Sequence, residues 1–331
     1  MKYSYLGRTG LTVSKLVLGT MNFGTRTEEE TAHKIMDKAL EAGINVIDTA
    51  NVYGEDGVLD NLYRGKSEDI VGRWFAKDPS RREKMVLTTK VFMRMNDPRD
   101  NANNKKDLSL YKIRRHLKDS LRRLQTDHLE LYFMHHVDEH ATWQELWGAF
   151  QPIVDSGTVD YIGSSNFGAR HICYAQAAAE KRNFMGLCVE QCQYNLFHRL
   201  PEIELLPTAK DLGLGIFCWS PLAEGLLSGH VLDAKPGTRG AVIKDKLTET
   251  QRKQLEDYSA LCKSIGESEA TVALAWLLHN PVVTSVIVGP RTVEQLESSL
   301  KAVDLELSEE TLKKLDEIFP GYEAAPKSYS W

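Results

Sequence analysis

Asn45-Val46-Ile47-Asp48-Thr49-Ala50-Asn51-Val52-Tyr53-Gly54 is the stretch on which the reading of the fold turns. The apolar run from Ile44 to Ile47 is too short for a helix and is β-branched, so it reads as a buried strand. It ends on a carboxylate, Asp48, and a phenol, Tyr53, follows five residues later in a loop. An acid at the end of a buried strand with a phenol beyond it suggests the rim of a parallel sheet or barrel, where catalytic groups collect. A helix-capping Asp beside a surface Tyr is the plain alternative, and this stretch alone leaves it open.

On either side, strand and helix patterns alternate. Strands are expected at Leu16–Leu18, Asn45–Ile47, Met85–Thr89, Leu131–Met134, Tyr161–Ile162, Leu187–Glu190, Gly215–Cys218 and Ser285–Val288. Helical patterns lie between them at Glu28–Ala42, Ser67–Ala76, Ser109–Leu124, Thr142–Asp155, Ala169–Lys181, Glu202–Asp211, Glu249–Ser264 and Thr292–Ala302. Ser67 and Thr292 read as helix caps, and Gly43, Gly157 and Gly213 as helix stops. Eight βα repeats predict a closed (β/α)8 barrel forming one domain over residues 1–331, with a doubly wound open sheet as runner-up. Tyr3–Leu6 and Leu11–Val13, joined by Gly7-Arg8-Thr9-Gly10, predict an N-terminal hairpin. Glu269–His279 and Ser308–Ile318 exceed the eight-fold count and read as extra helices. Two long connections, Phe92–Asp107 and Leu222–Leu247, follow strands at the same rim and are lid candidates. The tail from Tyr322, with Tyr329 and Trp331, either folds over the rim or frays.

Bulk properties narrow the function classes. The chain has 331 residues, 42% of them hydrophobic, and a formal net charge of -5. No basic block points to nucleic acid. No apolar run approaches the roughly 20 residues that cross a bilayer, and the N-terminus lacks the apolar core of a signal peptide. Cys173, Cys188, Cys192, Cys218 and Cys262 make an odd number and read as reduced, buried thiols of a cytoplasmic protein. Trp74, Trp143, Trp147 and Trp276 lie on helical patterns and are expected in packing.

The strand ends carry the chemistry. In order they present Gly19-Thr20-Met21-Asn22, Asp48 with Tyr53 beyond, Lys90, His135, Ser164-Ser165-Asn166, Gln191, Trp219-Ser220-Pro221 and Gly289-Pro290-Arg291. One such residue is a cap, whereas eight on one rim make a site. An unperturbed phenol, with a pKa of about 10, is a reluctant proton donor at neutral pH. The Lys90 ammonium would favour the phenolate and lower that value, and Asp48 would hold Lys90 by a charge-assisted bond. A neutral His135 would donate to a carbonyl oxygen and orient it. This set polarises an oxygen and delivers a proton but offers no good nucleophile, which fits carbonyl reduction with a hydride from a cofactor.

On these residues the chain resembles the aldo-keto reductases, from Leu6-Gly7-Arg8-Thr9-Gly10 to about Leu300. Asp48, Tyr53, Lys90 and His135 match the family's catalytic tetrad in order and strand position. The resemblance implies a (β/α)8 barrel that binds extended NADPH/NADP+ without a Rossmann domain. It implies Tyr53 as general acid, Lys90 lowering its pKa, Asp48 supporting Lys90 and His135 orienting a small-molecule carbonyl substrate. Gly163-Ser164-Ser165-Asn166-Phe167 matches the segment in which Ser165 and Asn166 hold the nicotinamide carboxamide, with Gln191 as the third contact. Trp219 stands where an aromatic, usually Tyr, stacks on the nicotinamide. Ser220-Pro221-Leu222 and Gly225 match the pyrophosphate loop, so Leu222–Leu247 becomes a lid over the pyrophosphate. Gly289, Arg291, Gln295 and Ser299 match the adenosine end, Ser299 replacing the commoner Asn, and Arg291 would pair with the 2′-phosphate. Gly19, Thr20, Met21 and Asp48 complete the expected cofactor contacts. Substrate contacts are expected from Phe23, Tyr53, His135 and His136, in a pocket lined from Met21-Asn22-Phe23, Val52, the loop after Lys90 and the tail.

A finer resemblance rests on Gly19-Thr20-Met21-Asn22-Phe23, Met134-His135-His136-Val137-Asp138 and Glu190-Gln191-Cys192-Gln193-Tyr194-Asn195. These are similar to the bacterial branch that contains nucleotide-sugar reductases, which implies a sugar-like carbonyl. The family also includes channel-associated β-subunits, so a regulatory NADPH-binding subunit with little turnover is the alternative function; the absence of any extension before the barrel speaks against it. His136-Val137-Asp138-Glu139-His140 spells a zinc-peptidase pattern, but that pattern needs a helical face and this one follows a strand, so no metal is expected. Gly213-Leu214-Gly215 lacks the third Gly of a dinucleotide fingerprint and precedes a strand instead of following one. Nothing in the sequence marks an oligomeric interface.

Overall fold

The computed structural model describes residues 1–54, 65–95, 102, 103, 105–235 and 239–323. The eight expected strands are present, and six of them extend further toward the rim than the apolar runs alone indicated. They are β3 (Leu16–Gly19), β4 (Val46–Asp48), β5 (Val86–Val91), β6 (Leu129–Met134), β7 (Val159–Ser165), β8 (Leu187–Gln193), β9 (Gly215–Trp219) and β10 (Ser285–Val288). Each pairs in parallel with the next, and β10 returns to β3, so the sheet closes as a barrel and no edge remains. Polar residues at the strand ends, Lys90 and Gln191 among them, continue the ladder instead of leaving it.

Alternation along each strand divides the apolar core in two. Val17, Val46, Leu131, Phe133, Val189 and Phe217 fill the barrel interior. The larger cluster packs between strands and helices. The hairpin β1 (Tyr3–Tyr5) and β2 (Thr12–Ser14) closes the interior at the N-terminal mouth, where Leu6 and Val13 are fully buried against the inner layer. Gly7 makes that fit possible: it has φ +53°, and a Cβ there would stand 2.4 Å from the Gly213 carbonyl oxygen.

Around the barrel run α1 (Glu29–Glu41), α2 (Lys66–Lys77), α3 (Leu110–Leu124), α4 (Trp143–Asp155), α5 (Ala169–Glu180), α6 (Leu205–Leu212), α7 (Arg239–Lys244), α8 (Glu249–Ser264), α9 (Glu269–His279), α10 (Val293–Leu300) and α11 (Glu309–Ile318). One expected assignment is reversed. The helix packed on the barrel between β9 and β10 is α9, whose residues Thr271 to Leu277 are all buried. The helix α8 lies outside it and pairs with α11. The composition explains this, since Glu-Ala-Thr-Val-Ala-Leu-Ala-Trp-Leu-Leu-His is apolar nearly all round, the mark of a buried helix.

Ser67 is not a cap. The residue before α2 is Gly65, which offers no side chain, whereas Thr292 caps α10 by accepting from the Gln295 N–H. Trp74 and Trp147 are fully buried, and each indole N–H is bonded, to Asp37 and to the Ala175 carbonyl. The connection Leu222–Leu247 is not structureless: it holds a series of tight turns over Ala223–Ser228, and α7. Much of Phe92–Asp107, and the tail with Tyr329 and Trp331, fall outside the described residues. All five cysteines are free thiols; four are buried as expected, but Cys173 is exposed, on the outer face of α5. Among the described residues no helix is long and apolar enough to cross a membrane.

Candidate active site

The site grows from β5, whose residues Thr88, Thr89 and Lys90 alternate between the two faces of the barrel wall. Thr88 and Lys90 point inward. The Thr88 hydroxyl donates to Asp48 Oδ1 at 2.7 Å, and the Lys90 ammonium donates to Asp48 Oδ2 at 2.6 Å and to the Thr49 carbonyl at 2.8 Å. Its remaining reach is to the Tyr53 hydroxyl at 3.3 Å, and Nζ lies 4.8 Å from the centre of the Tyr53 ring. Gln191 Nε2 crosses from β8 to donate to Asp48 Oδ1 at 2.6 Å. Asp48 therefore accepts three bonds in a buried position, which satisfies the desolvated charge.

Tyr53 is half-buried. The His135 ring meets it edge-on, with centroids 5.8 Å apart. His135 is stacked on His136 at 5.1 Å, and His136 lies 5.3 Å from the Phe92 ring. Asp48, Tyr53, Lys90 and His135 are thus brought together from β4, its following loop, β5 and the end of β6.

The electrostatics refine one expectation. Burial raises the Tyr53 phenol above its ordinary value; the Lys90 ammonium pulls it down, as expected, but the Asp48 carboxylate adds to the rise and the net direction is upward. The phenol is a protonated donor at neutral pH. Burial works against the Lys90 charge, yet Asp48 and Tyr53 outweigh it and the ammonium is held above its usual range. His135 is pushed well below the imidazole range by burial, then by Lys90 and His136, so it is neutral. Its Nδ1 is buried without a partner among the described residues.

The turn after β7 is built as tightly. Ser165 Oγ donates to the Gln191 carbonyl at 3.0 Å. Asn166 takes a left-handed φ of +63°, its amide donates to the His135 carbonyl at 3.0 Å, and its backbone N–H donates to the Gln191 carbonyl. Beneath it sits Glu190, a residue that sequence reasoning missed as a separate group. Its carboxyl is fully buried, accepts from Ser164 Oγ and from the Phe167 N–H, and is pushed up to about 8 by burial. The only signal was an acid inside an otherwise apolar strand, which alternation reads as a solvent-facing position.

Beyond β9, Ser220, Ala223, Glu224 and Gly225 all have positive φ, three of them without being glycine. Such clusters of strained backbone collect at functional sites, and the turn is held internally: the Ala223 N–H donates to the Ser220 carbonyl, the Glu224 N–H to Ser220 Oγ and the Gly225 N–H to the Leu222 carbonyl. Trp219 stands just before this turn, its indole N–H buried and unpartnered among the described residues. Pro221 is buried and Leu222 half-buried. At the next strand end Arg291 is exposed and its guanidinium forms no ion pair among the described residues, while its N–H donates to Gln295 Oε1 at 2.8 Å. Ser299 Oγ donates to the Gln295 carbonyl at 3.0 Å, and Asn22 donates to the Gly289 carbonyl at 2.9 Å. A polar row of strand ends, a strained turn and an exposed arginine thus lie along one arc of the rim.

The end of β3 contributes unequally. Gly19 pairs with Asp48 in register, and the Thr20 N–H and hydroxyl both reach the Asp48 carbonyl, at 3.0 and 3.1 Å. Met21 is exposed. Phe23, expected against substrate, is instead fully buried in the outer core because the loop bends back through its bridge with Thr27. His136 stays half-buried beside the site. His136–His140 runs as a loop in which Asp138 accepts from the Leu108 N–H and Glu139 pairs with His171. No group of metal-ligating side chains occurs among the described residues.

A model described as the Aldo/keto reductase family matches residues 15–319. The chain is 56% identical over 332 residues, covering 100% of both chains, to a Bacillus subtilis (strain 168) protein named Uncharacterized oxidoreductase YrpG. It is 30% identical over 347 residues to a protein of Arabidopsis thaliana, and 31% identical over 341 residues to one of Oryza sativa subsp. japonica. Both carry the name Probable voltage-gated potassium channel subunit beta, and each match covers 99% of this chain and 100% of the relative.

Proposed function

The chain belongs to the aldo/keto reductase family, an oxidoreductase family acting on carbonyls, and from that premise we propose that it reduces an aldehyde or ketone to an alcohol with NADPH, using Tyr53 as the general acid. The observation that carries the reading is the buried relay of Asp48, Lys90 and Tyr53, with bonds of 2.6 and 3.3 Å. NADPH supplies the hydride. The Tyr53 proton goes to the carbonyl oxygen as that oxygen gains charge, and the Lys90 ammonium stabilises the phenolate left behind. Asp48 keeps Lys90 charged and aimed. Neutral His135 donates to the carbonyl oxygen and orients it.

Ser165, Asn166 and Gln191 hold the carboxamide in this reading, Gln191 through its Oε1 because its Nε2 is engaged with Asp48. Trp219 covers the ring; Ser220, Pro221, Leu222 and Gly225 hold the pyrophosphate. Gly289, Arg291, Gln295 and Ser299 take the adenosine end, and Gly19, Thr20 and Met21 are further cofactor contacts. The sharper substrate class, a sugar-like carbonyl, rests on the three segments quoted from the sequence.

The test is NADPH oxidation by the purified protein with a panel of simple aldehydes, aldoses and keto-sugars, run beside Tyr53→Phe. Turnover that vanishes in Tyr53→Phe while NADPH still binds is the expected result; wild-type turnover in the variant overturns the mechanism. A second reading, a regulatory NADPH-binding subunit, draws on the two plant relatives named as channel subunits. Tight NADPH binding with no turnover on any carbonyl would favour it.

A further inference from the structure

The helix α2 starts without a side-chain cap, and its first N–H groups still need acceptors. Tyr53 supplies one: its carbonyl accepts from the N–H of both Gly65 and Ser67, each at 3.3 Å. The residue that carries the phenol is therefore hung on the first turn of this helix. We propose that Ser67 and Glu68, which bolt that turn to the barrel, are positioning residues that set the distance between the Tyr53 hydroxyl and the Lys90 ammonium. The proposal rests on Tyr53 as the general acid.

Ser67 is fully buried, and its hydroxyl lies 2.8 Å from Thr20 Oγ1, 2.9 Å from the Thr20 carbonyl and 3.3 Å from Thr49 Oγ1. Both neighbours serve the catalytic pair directly. Thr20 bonds the Asp48 carbonyl, and the Thr49 carbonyl accepts from Lys90. Glu68, the next residue, is also fully buried and holds the helix from its other side. It accepts from Thr89 Oγ1 at 2.6 Å and from Arg123 Nε at 2.6 Å, and Thr89 is the strand neighbour of Lys90. One helix start is thus tied to the ends of β3 and β4 through Ser67 and to β5 through Glu68, with Tyr53 between them.

The phenol–ammonium contact is where this matters. At 3.3 Å it is already long for a hydrogen bond. A misplacement of about 1 Å by a change remote from the reacting atoms costs on the order of 100-fold in rate. Among the described residues neither Ser67 nor Glu68 bonds the Tyr53 hydroxyl or Lys90 Nζ, so any effect they have on the chemistry passes through the backbone they hold.

The experiment uses the full chain with Ser67→Ala, Ser67→Thr and Glu68→Gln, beside Tyr53→Phe. It measures NADPH Kd by fluorescence, kcat and KM for the best aldehyde, and the pH dependence of kcat for oxidation of the product alcohol by NADP+. Ser67→Ala is expected to lower kcat by about 10-fold or more, with Kd and KM within about two-fold. It is also expected to move the ascending, acid-side limb of the oxidation profile, on which the phenolate base appears, to higher pH, since a phenol further from the ammonium is less acidic. Ser67→Thr keeps the hydroxyl and restores most of kcat, and Glu68→Gln, which keeps the Thr89 bond, gives an intermediate loss. Wild-type kcat and pH profile in Ser67→Ala overturn the proposal, even if its melting temperature falls. Should Ser67→Ala not fold, Glu68→Gln decides by the same readouts. Normal turnover in Tyr53→Phe is the separate result that removes the underlying reading.

Discussion

Two buried ion pairs stand back to back on β5. On the inner face Lys90 meets Asp48 at 2.6 Å, and on the outer face Arg123 meets Glu68 at the same distance. Adjacent threonines serve them, Thr88 donating to Asp48 and Thr89 to Glu68. All four charged groups are buried. The local chemistry is nearly the same, and what differs is the next neighbour. The inner pair faces Tyr53 and the neutral His135 at the open end of the barrel, whereas the outer pair is enclosed by α2, α3 and the wall. A buried pair becomes a candidate catalytic group by what its free side can reach, not by its strength. Lys90 has a donor left over for a phenol.

The comparison breaks first, and most visibly, at Lys90. Lys90→Met is expected to lower carbonyl reduction by about 10⁴-fold, the upper range for a general acid, or roughly 5.5 kcal/mol. NADPH binding should survive. Stopped-flow hydride transfer checks this, and a loss below about ten-fold would mean that the inner pair is as structural as the outer one. The mirror variant, Glu68→Ala, removes a fully buried carboxylate that accepts from both Arg123 and Thr89. It should cost about 3–5 kcal/mol of stability in urea unfolding. A loss within about 0.5 kcal/mol would show that the outer pair contributes nothing that packing does not.

A third buried carboxylate sharpens the contrast, because Glu190 has no cation beside it among the described residues. Its folded-state value is pushed up to about 8, against an ordinary glutamate value of about 4.3. The folded protein therefore holds that proton to higher pH than the unfolded chain. Glu190 contributes stability that is full below about pH 4.3 and is lost as pH rises through about 8. Glu190→Gln removes the titration while keeping the shape. Between pH 5 and 9 the wild type should lose a few kcal/mol relative to the variant. Parallel stability curves for the two proteins would show that Glu190 is not titrating there.

The difference between these carboxylates also marks what the sequence could reveal. Asp48, Lys90, His135 and Gln191 were legible because each ends an apolar run, and a parallel barrel sends strand ends to one rim. Glu190 and Glu68 were not, since an acid within a strand or in the first turn of a helix has an ordinary solvent-facing explanation. Their burial depends on Ser164, Phe167, Thr89 and Arg123, partners 21 to 55 residues away. Ser67 was read as a cap because its type and place suit one, but in this structure the Tyr53 carbonyl does that work. Phe23 was drawn to the substrate side by its neighbours in sequence, and the bend to Thr27 carried it into the core. The reversal of α8 and α9 was legible in composition: α9 is apolar on every side, and a count of repeats outweighed that signal.

Arg291 is the opposite limit, a cation at the rim that is exposed and forms no ion pair among the described residues. If it pairs with the 2′-phosphate of NADPH, the bond forms in a high-dielectric setting and its worth is modest, about 1 kcal/mol or a little more. Arg291→Ala should raise the KM for NADPH by roughly five- to ten-fold and leave NADH nearly unchanged, because NADH lacks the phosphate. The discrimination should also weaken with salt, as exposed charges are screened within about 10 Å at 0.1 M. The buried Lys90–Asp48 pair should show no such dependence in kcat. Steady-state KM values for both cofactors at low and high ionic strength check the contrast. Equal effects of Arg291→Ala on NADPH and NADH would remove the 2′-phosphate assignment, while a salt-independent NADPH preference would mean that the discrimination comes from a shielded group elsewhere on the rim.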